Sequence, residues 1–429
     1  MRLNIFLVVV VAFAASNSFG QDDDYARTQS LAYDNAVYRE DIRSVQCFLE
    51  EARLSYPVIM LGSGTSVQLH FDQMAEDFSD FTFYAIHCDA QWKPTDLESN
   101  EYIEGFPQQD ITEFESSFNT RNAYVHYSLE FPNDMMRIRL SGNYLLVVFE
   151  DGDINNLVLS RRIVVYEERV TLGGQVKNSS TIAHRFTHHE IDFSLQHESF
   201  SIMDAHRDLH VVLLQNLDWS TARNNIQPQF IKNNEITYDL YEVNEFEAGN
   251  EYREFDTKDL RYITMEVASV DEMNKNITVN LLPDVAHGSK GYLSNYDLNG
   301  RYFVRNDWGG NNDMESEYHL VNFVLSTAEF PIGQVYVVGG FTDGQYHKNF
   351  RMKWNSALHS YELSAWLKQG FYNYRYVVTD YLHPAGSWET TEGNYEQTEN
   401  DYFIIVYHHD HSIGYDRIIG FKVMNSARP

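Results

Sequence analysis

Three residues that can do chemistry stand side by side at positions 87–89. His87, Cys88 and Asp89 could supply a base, a thiolate nucleophile and an orienting carboxylate, or part of a metal site. They follow a strand pattern, and neighbouring strand residues point to opposite faces of a sheet. A nucleophilic cysteine needs its histidine within hydrogen-bond reach, and this geometry separates the two. We therefore expect Cys88 to pack inward and Asp89 to fix the start of the segment that follows.

Two clusters of histidines could bind a metal ion. The clusters are His184, His188 and His189, and His408, His409 and His411 with Asp410. Imidazoles at i and i+4 form a zinc site on a helix, but strand patterns surround both clusters. The acidic run at 307–315 superficially suggests calcium, yet it lacks the register of an EF-hand loop and its closing glutamate. The sequence therefore predicts neither a metal site nor a cofactor.

Motifs of the common enzyme classes are missing from the chain. It has no GxSxG elbow, no HExxH pair and no glycine loop for a phosphate. Glycoside hydrolysis needs two carboxylates at a defined separation, and 62 acidic residues make chance pairs unavoidable. We predict that the protein is not an enzyme.

The elements that position these residues follow a strand pattern. Apolar and polar residues alternate over 67–72 and 125–131, while 145–149 and 163–166 are more continuously apolar and therefore buried on both faces. Tyrosine and phenylalanine are abundant, with 29 and 27 copies, and long helical patterns are missing. The predicted fold class is all-β, with tandem immunoglobulin-like or early-set β-sandwich domains.

The chain divides into a leader and three domains. Arg2, an apolar run over 3–15, and small residues at 18 and 20 predict a signal peptide over 1–20, with no cysteine for a lipoprotein anchor. An acidic lead-in covers 21–40. The predicted domains are a first sandwich at 41–167, a second β-rich domain at 168–300 and a third sandwich at 301–429, whose last strand is the C-terminal tail.

Charge and cysteine content limit the possible partners. With 62 acidic and 32 basic residues the net charge is −30, which opposes binding to nucleic acid and to anionic lipid. The apolar run over 3–15 is shorter than the roughly 20 residues that a membrane span needs, so the sequence predicts a protein that does not insert into a membrane. Cys47 and Cys88 leave two alternatives open, a disulfide or two free buried thiols.

The segment 88–120 is too long for an ordinary connection within a compact domain. Its apolar residues are unlike those of a disordered linker. They are Trp92, Tyr102, Ile103, Phe106, Ile111, Phe114 and Phe118. We expect a structured loop held by its own apolar anchors, of a kind that often carries function.

This loop and its surroundings also resemble a known family. The matching segments are IHCDAQW, EYIEGF, SSFNT, YVHYSLEFPND, RLSGNYLLVVFEDGD, QNLDWSTA, IQPQF, EAGNEYREFDTKDLRY, VYVVGGFTD and WLKQGFYNYRYVV. Together they resemble the type IX secretion system plug protein family. The resemblance implies a periplasmic, non-enzymatic protein, acting as a monomer, that seals the periplasmic mouth of a large outer-membrane β-barrel translocon. Candidate interface residues are Asp89, Trp92, Tyr102 and Phe106.

A second resemblance concerns the third domain. VYVVGGFTD and WLKQGFYNYRYVV are similar to the early-set sandwiches of carbohydrate-binding modules. Phe341, Trp354 and Trp366 would then be stacking platforms for sugars, although the turn after Phe341 lacks the usual tryptophan. The alternative role for these rings is in the core of a small sandwich. A secreted carbohydrate-binding protein is therefore the second hypothesis.

Overall fold

The computed structural model describes residues 30–50, 52–224, 226–240, 243–273, 276–288, 290–292 and 294–427. The predicted signal peptide and the lead-in as far as residue 29 lie outside these residues. About 49% of the structure is strand and 5% is helix, which confirms the all-β class and its sandwich architecture. In the described part of the chain, no helix combines the length and the hydropathy needed to cross a membrane.

The first sandwich comes from the N-terminal part of the chain. Its strands are β1 (Ala36–Val37), β2 (Ile42–Leu49), β3 (Val58–Met60), β4 (Val67–Gln73), β5 (Phe81–Cys88), β6 (Ile103–Gly105), β7 (Gln108–Asp110), β8 (Glu113–Ser116), β9 (Val125–Phe131), β10 (Met136–Ile138), β11 (Gly142–Glu150) and β12 (Leu157–Tyr166), and its helix is α1 (Ser99–Tyr102). One sheet has the order β1-β12-β11-β5-β7 with β3 beside β12, the other has β2-β4-β9-β8, and β6 pairs with β10.

The hydrophobic pattern explains both sheets of the first sandwich. Val67, Leu69 and Phe71 of β4 are fully buried, whereas the side chains between them are half-buried. This alternation is that of a strand with one face on the core. Strand β11 is buried from Gly142 to Phe149, as its continuous apolar run predicts, because both of its faces are covered.

The long loop becomes part of both sheets. Its strand β7 pairs antiparallel with β5 at the edge of one sheet, and its strand β8 pairs with β9 at the edge of the other. The loop therefore crosses from one sheet to the other along one side of the sandwich. The sequence did not predict these strands, since β8 is exposed throughout and shows no alternation.

The second sandwich follows directly. Its first strands are β13 (Thr171–Asn178), β14 (His188–Gln196), β15 (Leu209–Gln215), β16 (Asp218–Arg223), β17 (Phe230–Lys232), β18 (Glu235–Tyr238) and β19 (Glu245–Glu247), with helix α2 (Ala205–Asp208). One of its sheets has the order β13-β14-β18-β17, with β19 also on β14.

The third sandwich is contributed by the next part of the chain. Its strands are β20 (Arg253–Asp256), β21 (Val267–Met273), β22 (Asn276–Leu281), β23 (Asp284–Val285), β24 (Tyr302–Val304), β25 (Tyr318–Ser326), β26 (Gln334–Val338), β27 (Lys353–Asn355), β28 (Ser360–Lys368) and β29 (Gly370–Thr379), with helix α3 (Asn312–Glu315) and 3-10 helices Gly340–Thr342 and Lys348–Phe350. One sheet has β20, β24 and β26 around β29, and the other has the order β21-β22-β25-β28-β27 with β23 on β25. Tyr372, Tyr374 and Tyr376 form a buried row on β29.

The last two strands return to the second sandwich. They are β30 (Asp401–Asp410) and β31 (Tyr415–Asn425), and they complete a sheet of order β16-β15-β30-β31. The predicted assignment of the tail to the third sandwich is therefore wrong. Ile404 and Val406 pack into the core of the second sandwich, and a strand pattern fixes which face is apolar but not which distant strand it pairs with. The domain boundaries at 167 and 300 remain predictions.

An apolar cluster joins the first and second sandwiches. Leu145 and Val147 of β11 pack there with Leu214 of β15 and with Phe403 and Ile405 of β30. These side chains lie on the outer face of each sheet, so two sheets from different sandwiches bury one another. Apolar burial of this kind is the main force that holds such layers together.

Candidate functional site

His87 and Cys88 lie on opposite faces of β5, as predicted. The ring of His87 donates from Nε2 to the carbonyl of Ser141 at 3.2 Å and contacts the hydroxyl of Thr95 through Nδ1 at 3.1 Å. Cys88 is buried in the cluster between the first and second sandwiches. The two side chains do not form a nucleophile and base pair.

Asp89 fixes the start of the long loop, as predicted. Its Oδ1 accepts hydrogen bonds from the backbone N–H groups of Gln91 and Lys93 at 2.9 and 2.8 Å. A side-chain carboxylate that closes a turn in this way is a common local device. A role for Asp89 in partner binding stays a prediction.

Both cysteines are free thiols. Burial raises the pKa of Cys47 and of Cys88 to about 12. The thiolate is the reactive form of cysteine, so neither side chain is poised as a nucleophile near neutral pH.

Trp92 anchors the loop to the second sandwich. It is 5% exposed, its ring meets that of Trp219 edge-on at 4.9 Å, and the guanidinium of Arg162 lies 4.5 Å from its centre. Tyr102 is also buried, and its hydroxyl donates to the carbonyl of Ala85 at 3.2 Å. Neither ring is available for docking in this conformation, because each is enclosed by the protein itself.

Phe106 is the predicted interface residue that does face outward. Its side chain is 66% exposed, and its backbone N–H donates to the carbonyl of Met135 at 2.8 Å. Met135 is itself 58% exposed, so the β6–β10 ribbon presents two adjacent apolar side chains. Nearby on the same sandwich, Phe114 stacks on Phe78 at 4.8 Å, and both are exposed. Of the seven expected apolar anchors, Phe106, Phe114 and Phe118 are exposed and the others are buried.

The three rings proposed for sugar stacking differ in placement. Phe341 packs edge-on against Tyr302 and Tyr372 in the third sandwich. Trp354 is half-buried at 5.0 Å from Tyr361, and Trp366 is half-buried on β28. Phe341 and Trp354 therefore contribute to the core, which is the alternative that the sequence left open.

Histidine rings of the two sequence clusters use their nitrogens within the protein. His184 contacts Glu245 at 2.7 Å, His409 contacts Asp416 at 2.8 Å, and His411 contacts Asp208 at 2.9 Å. The rings of His184 and His188 stack at 4.3 Å and those of His409 and His411 meet at 4.9 Å. Within the described residues, neither cluster forms a group of three side chains that could hold a metal ion.

Two other groups bring possible metal ligands together in the described part of the chain. They are His70, His126 and Asp313, and Glu190, Asp192 and Asp239. In the first group both carboxylate oxygens of Asp313 accept hydrogen bonds from Arg53, and in the second Lys177 pairs with Glu190 and Asp192. A resident cationic side chain opposes the binding of a metal ion. The expected absence of a metal site stays a prediction.

A buried polar network joins the first and third sandwiches. Asp72 on β4 accepts from Lys368 Nζ at 2.6 Å and from the hydroxyl of Tyr318 at 2.7 Å, and it contacts His126 Nδ1 at 2.6 Å. Burial raises the pKa of Asp72, but Lys368 and His126 outweigh it and hold that pKa below its ordinary value. This ion pair could not be predicted from local sequence patterns, because its partners are 296 positions apart.

Comparison with known proteins identifies the first sandwich. Residues 42–167 match the family model of the type 9 secretion system plug protein 1st domain. The first sandwich is therefore a plug-protein first domain. The match covers the loop whose residues carried the resemblance in the sequence, so that identification is confirmed. The family is one of secretion components rather than of enzymes, and it connects the protein with type 9 secretion.

A similar fold over nearly the whole chain has also been seen in a crystal. The structure of a hypothetical protein from Parabacteroides merdae has a TM-score of 0.89 to this protein and 28% sequence identity, over 92% of this chain and 100% of that one. The similarity therefore extends over all three sandwiches. No curated protein matches the chain.

Buried histidines should make the stability of this protein depend on pH. His87 and His319 are 1% and 0% exposed, and burial lowers the pKa of each to about 4 despite a hydrogen bond to a backbone carbonyl. In an unfolded chain a histidine binds its proton near pH 6.5, whereas in the folded protein these two histidines stay neutral down to about pH 4. Their contribution to the free energy of unfolding is therefore complete above about pH 6.5 and is lost as the pH falls toward 4. The loss approaches about 3 kcal/mol for each histidine.

The measurement is urea unfolding at pH 7.5 and pH 5.0. We expect the free energy of unfolding to differ less between the two pH values in His319→Gln than in the unchanged protein. His206→Gln, at an exposed position, should leave the difference unchanged. If the free energy of unfolding changes with pH by the same amount in the unchanged protein and in His319→Gln, then His319 does not cause the pH dependence.

Proposed function

We propose that this protein is a non-enzymatic periplasmic plug of the type 9 secretion system. It docks on the periplasmic mouth of the large outer-membrane β-barrel translocon and closes it. The observation that carries the proposal is the match of residues 42–167 to the first domain of the plug proteins. The proposed site of action is the periplasm, where the predicted signal peptide would deliver the chain.

The first sandwich offers a surface suited to docking. Phe106 and Met135 lie next to each other on the β6–β10 ribbon, and the stacked pair of Phe78 and Phe114 lies on the same sandwich. We name these four residues the loop face. Single exposed apolar residues are common, but neighbouring large ones often mark an interaction site. Buried aromatic and apolar anchors supply most of the binding energy of protein interfaces.

The loop that contributes Phe106 and Phe114 to the loop face is acidic. Between positions 88 and 120 the chain has one lysine, Lys93, and no arginine. Its acidic residues there are Asp89, Asp96, Glu98, Glu101, Glu104, Asp110, Glu113 and Glu115. Exposed apolar side chains on an acidic loop fit a partner that has an apolar pocket in a basic surface, and such charge mainly accelerates association.

Affinity purification from cell envelopes tests the proposed function. The tagged protein should recover a large outer-membrane β-barrel protein, and deletion of its gene should make the outer membrane more permeable to large antibiotics. Recovery of no such barrel, together with unchanged permeability, would refute the plug function.

The loop face should be required for docking. The double variant Phe106→Ser, Met135→Ser should weaken binding to the purified translocon by about tenfold or more, because each truncation removes an apolar anchor. Both side chains are exposed, so the fold should be retained. Binding is measured by surface biosensor kinetics with the translocon in detergent.

The control is Phe186→Ser, which changes an equally exposed phenylalanine on the segment before β14. It should bind like the unchanged protein. If the double variant also binds normally while circular dichroism shows it folded, the loop face is not the docking surface, although the plug function could use another one.

A further inference from the structure

A cavity of about 430 Å³ lies where the three sandwiches meet. Sites for small molecules in proteins have volumes of about 300–1,000 Å³. Its walls include Gln46 from the first sandwich, Trp219 from the second, and Tyr252 and Arg375 from the third. The loop face contributes no wall residue, so this cavity is separate from the proposed docking surface.

The charge of the cavity wall is opposite to that of the chain. Five arginines line it, namely Arg53, Arg161, Arg162, Arg301 and Arg375, together with the aspartates Asp34, Asp218 and Asp343. The whole chain has a net charge of −30. A concave, locally basic wall raises the local concentration of small anions.

Four of these guanidinium groups already have partners in the protein. Arg53 pairs with Asp313 at 2.6 Å, Arg161 with Asp343 at 3.1 Å and Arg162 with Asp34 at 3.0 Å, while Arg301 donates to the carbonyls of Leu54 and Leu298. Three of these charges are neutralised by neighbouring aspartates, and the N–H groups of the fourth arginine are already bonded to backbone carbonyls. These four arginines form part of the cavity wall, but their guanidinium groups are not free to bind a ligand.

Arg375 differs from the other four. Its guanidinium carbon lies 3.9 Å from the centre of the Trp388 ring and 5.1 Å from that of Tyr252. Among the residues that the structure describes, Arg375 forms no ion pair with a carboxylate, and its buried Nε has no hydrogen-bond partner. The rings hold the guanidinium plane but leave its N–H edges unsatisfied. Such an edge matches the two oxygens of a carboxylate or phosphate.

Two other polar side chains of the wall, Asn299 and Asp218, would also contact a bound ligand. Asn299 is 7% exposed, and its Oδ1 accepts no hydrogen bond within the described structure. Asp218 lines the same wall as Arg375. Burial raises the pKa of the nearby Tyr252 hydroxyl, the charge of Arg375 lowers it, and the charge of Asp218 raises it further. The wall therefore combines one cationic donor edge with a free acceptor.

We propose that this cavity binds a small organic anion. Its carboxylate or phosphate group pairs with the guanidinium of Arg375, and a hydroxyl of the ligand donates to Asn299. Because the walls come from all three sandwiches, the bound anion stabilises their assembled arrangement and raises the midpoint of thermal unfolding.

Three matched probes test the proposal, namely glycerol 3-phosphate, glycerate and glycerol. They share hydroxyl groups and differ in the anionic group. Titration calorimetry and thermal unfolding of the purified protein should show saturable binding of at least one anion and none of glycerol. The anion that binds distinguishes phosphate from carboxylate. Arg375→Gln should weaken that binding by about tenfold or more, the loss of one charge-assisted contact.

Arg185→Gln is the control, because it makes the same charge change at an exposed position away from the cavity. It should bind the anion normally. Asp218→Asn removes a negative charge from the wall and should tighten binding of the anion by about threefold or more. This effect is opposite to that of Arg375→Gln, and it can be measured even if Arg375→Gln fails to fold. The proposal is overturned if neither anion binds, or if a folded Arg375→Gln or Asp218→Asn binds like the unchanged protein.

Discussion

Replacement of Lys368 by methionine is expected to lower the free energy of unfolding by about 3–5 kcal/mol. Lys368 is 1% exposed and its Nζ lies 2.6 Å from Asp72, which is 0% exposed. Methionine retains most of the volume of the lysine stem but none of its charge, so the carboxylate of Asp72 stays buried without its main cationic partner. Urea unfolding followed by tryptophan fluorescence measures the loss.

The pair is tested by adding Asp72→Asn to Lys368→Met. The double variant should regain most of the lost stability, because no uncompensated charge remains in the interior. Lys348→Met provides the comparison, since Lys348 forms an ion pair with Glu40 in which both side chains are 78% exposed. That surface pair should contribute little to stability, because solvent screens exposed charges. Equal losses for Lys368→Met and Lys348→Met would rule out a structural role for the buried pair.

This ion pair also determines how two sandwiches are joined. Asp72 belongs to β4 of the first sandwich and Lys368 to β28 of the third, and the hydroxyl of Tyr318 adds a second link at 2.7 Å. Ion pairs with fixed geometry favour one relative orientation of the parts they connect, whereas apolar contacts are non-directional. Because the pKa of Asp72 is held below its ordinary value, the link is complete above about pH 4 and weakens as the pH falls further.

Much of the fold follows from local pattern. Alternation in β4 and the continuous apolar run of β11 predict strands correctly, because the side-chain period of a strand is a local property. The partner of β30 was not predictable in the same way. Its apolar residues could pack against the core from any sheet, so they do not specify a partner strand. In the structure β30 pairs with β15, about 190 residues earlier in the chain.

The candidate site shows the same limit. The separation of His87 from Cys88 could be predicted because it depends only on neighbouring positions in one strand. The unpaired guanidinium of Arg375 and the burial of Lys368 could not, since each depends on residues brought together from distant parts of the chain. In a chain with 32 basic residues, the sequence gives no means of choosing these two.

Trp92 illustrates how the sequence can leave two roles open for one residue. Its type and loop position are compatible with docking on a partner and with holding the loop in place, and its ring lies in the apolar cluster between the first and second sandwiches. Trp92→Ala is therefore expected to lower the free energy of unfolding by about 3–5 kcal/mol, the usual cost of removing a large buried ring. Arg162 and Trp219 would lose their contacts with the ring at the same time.

The same substitution at an exposed tryptophan separates anchoring from docking. Trp308 is 72% exposed, and Trp308→Ala should change stability by less than about 1 kcal/mol. If Trp92 anchors the loop, Trp92→Ala loses stability in the isolated protein, before any partner is added. If Trp92 were instead a docking residue, the isolated protein would keep its stability and only translocon binding would weaken. Unfolding of the purified protein alone therefore decides between the two roles, because an anchor acts within the chain and a docking residue acts only on a partner.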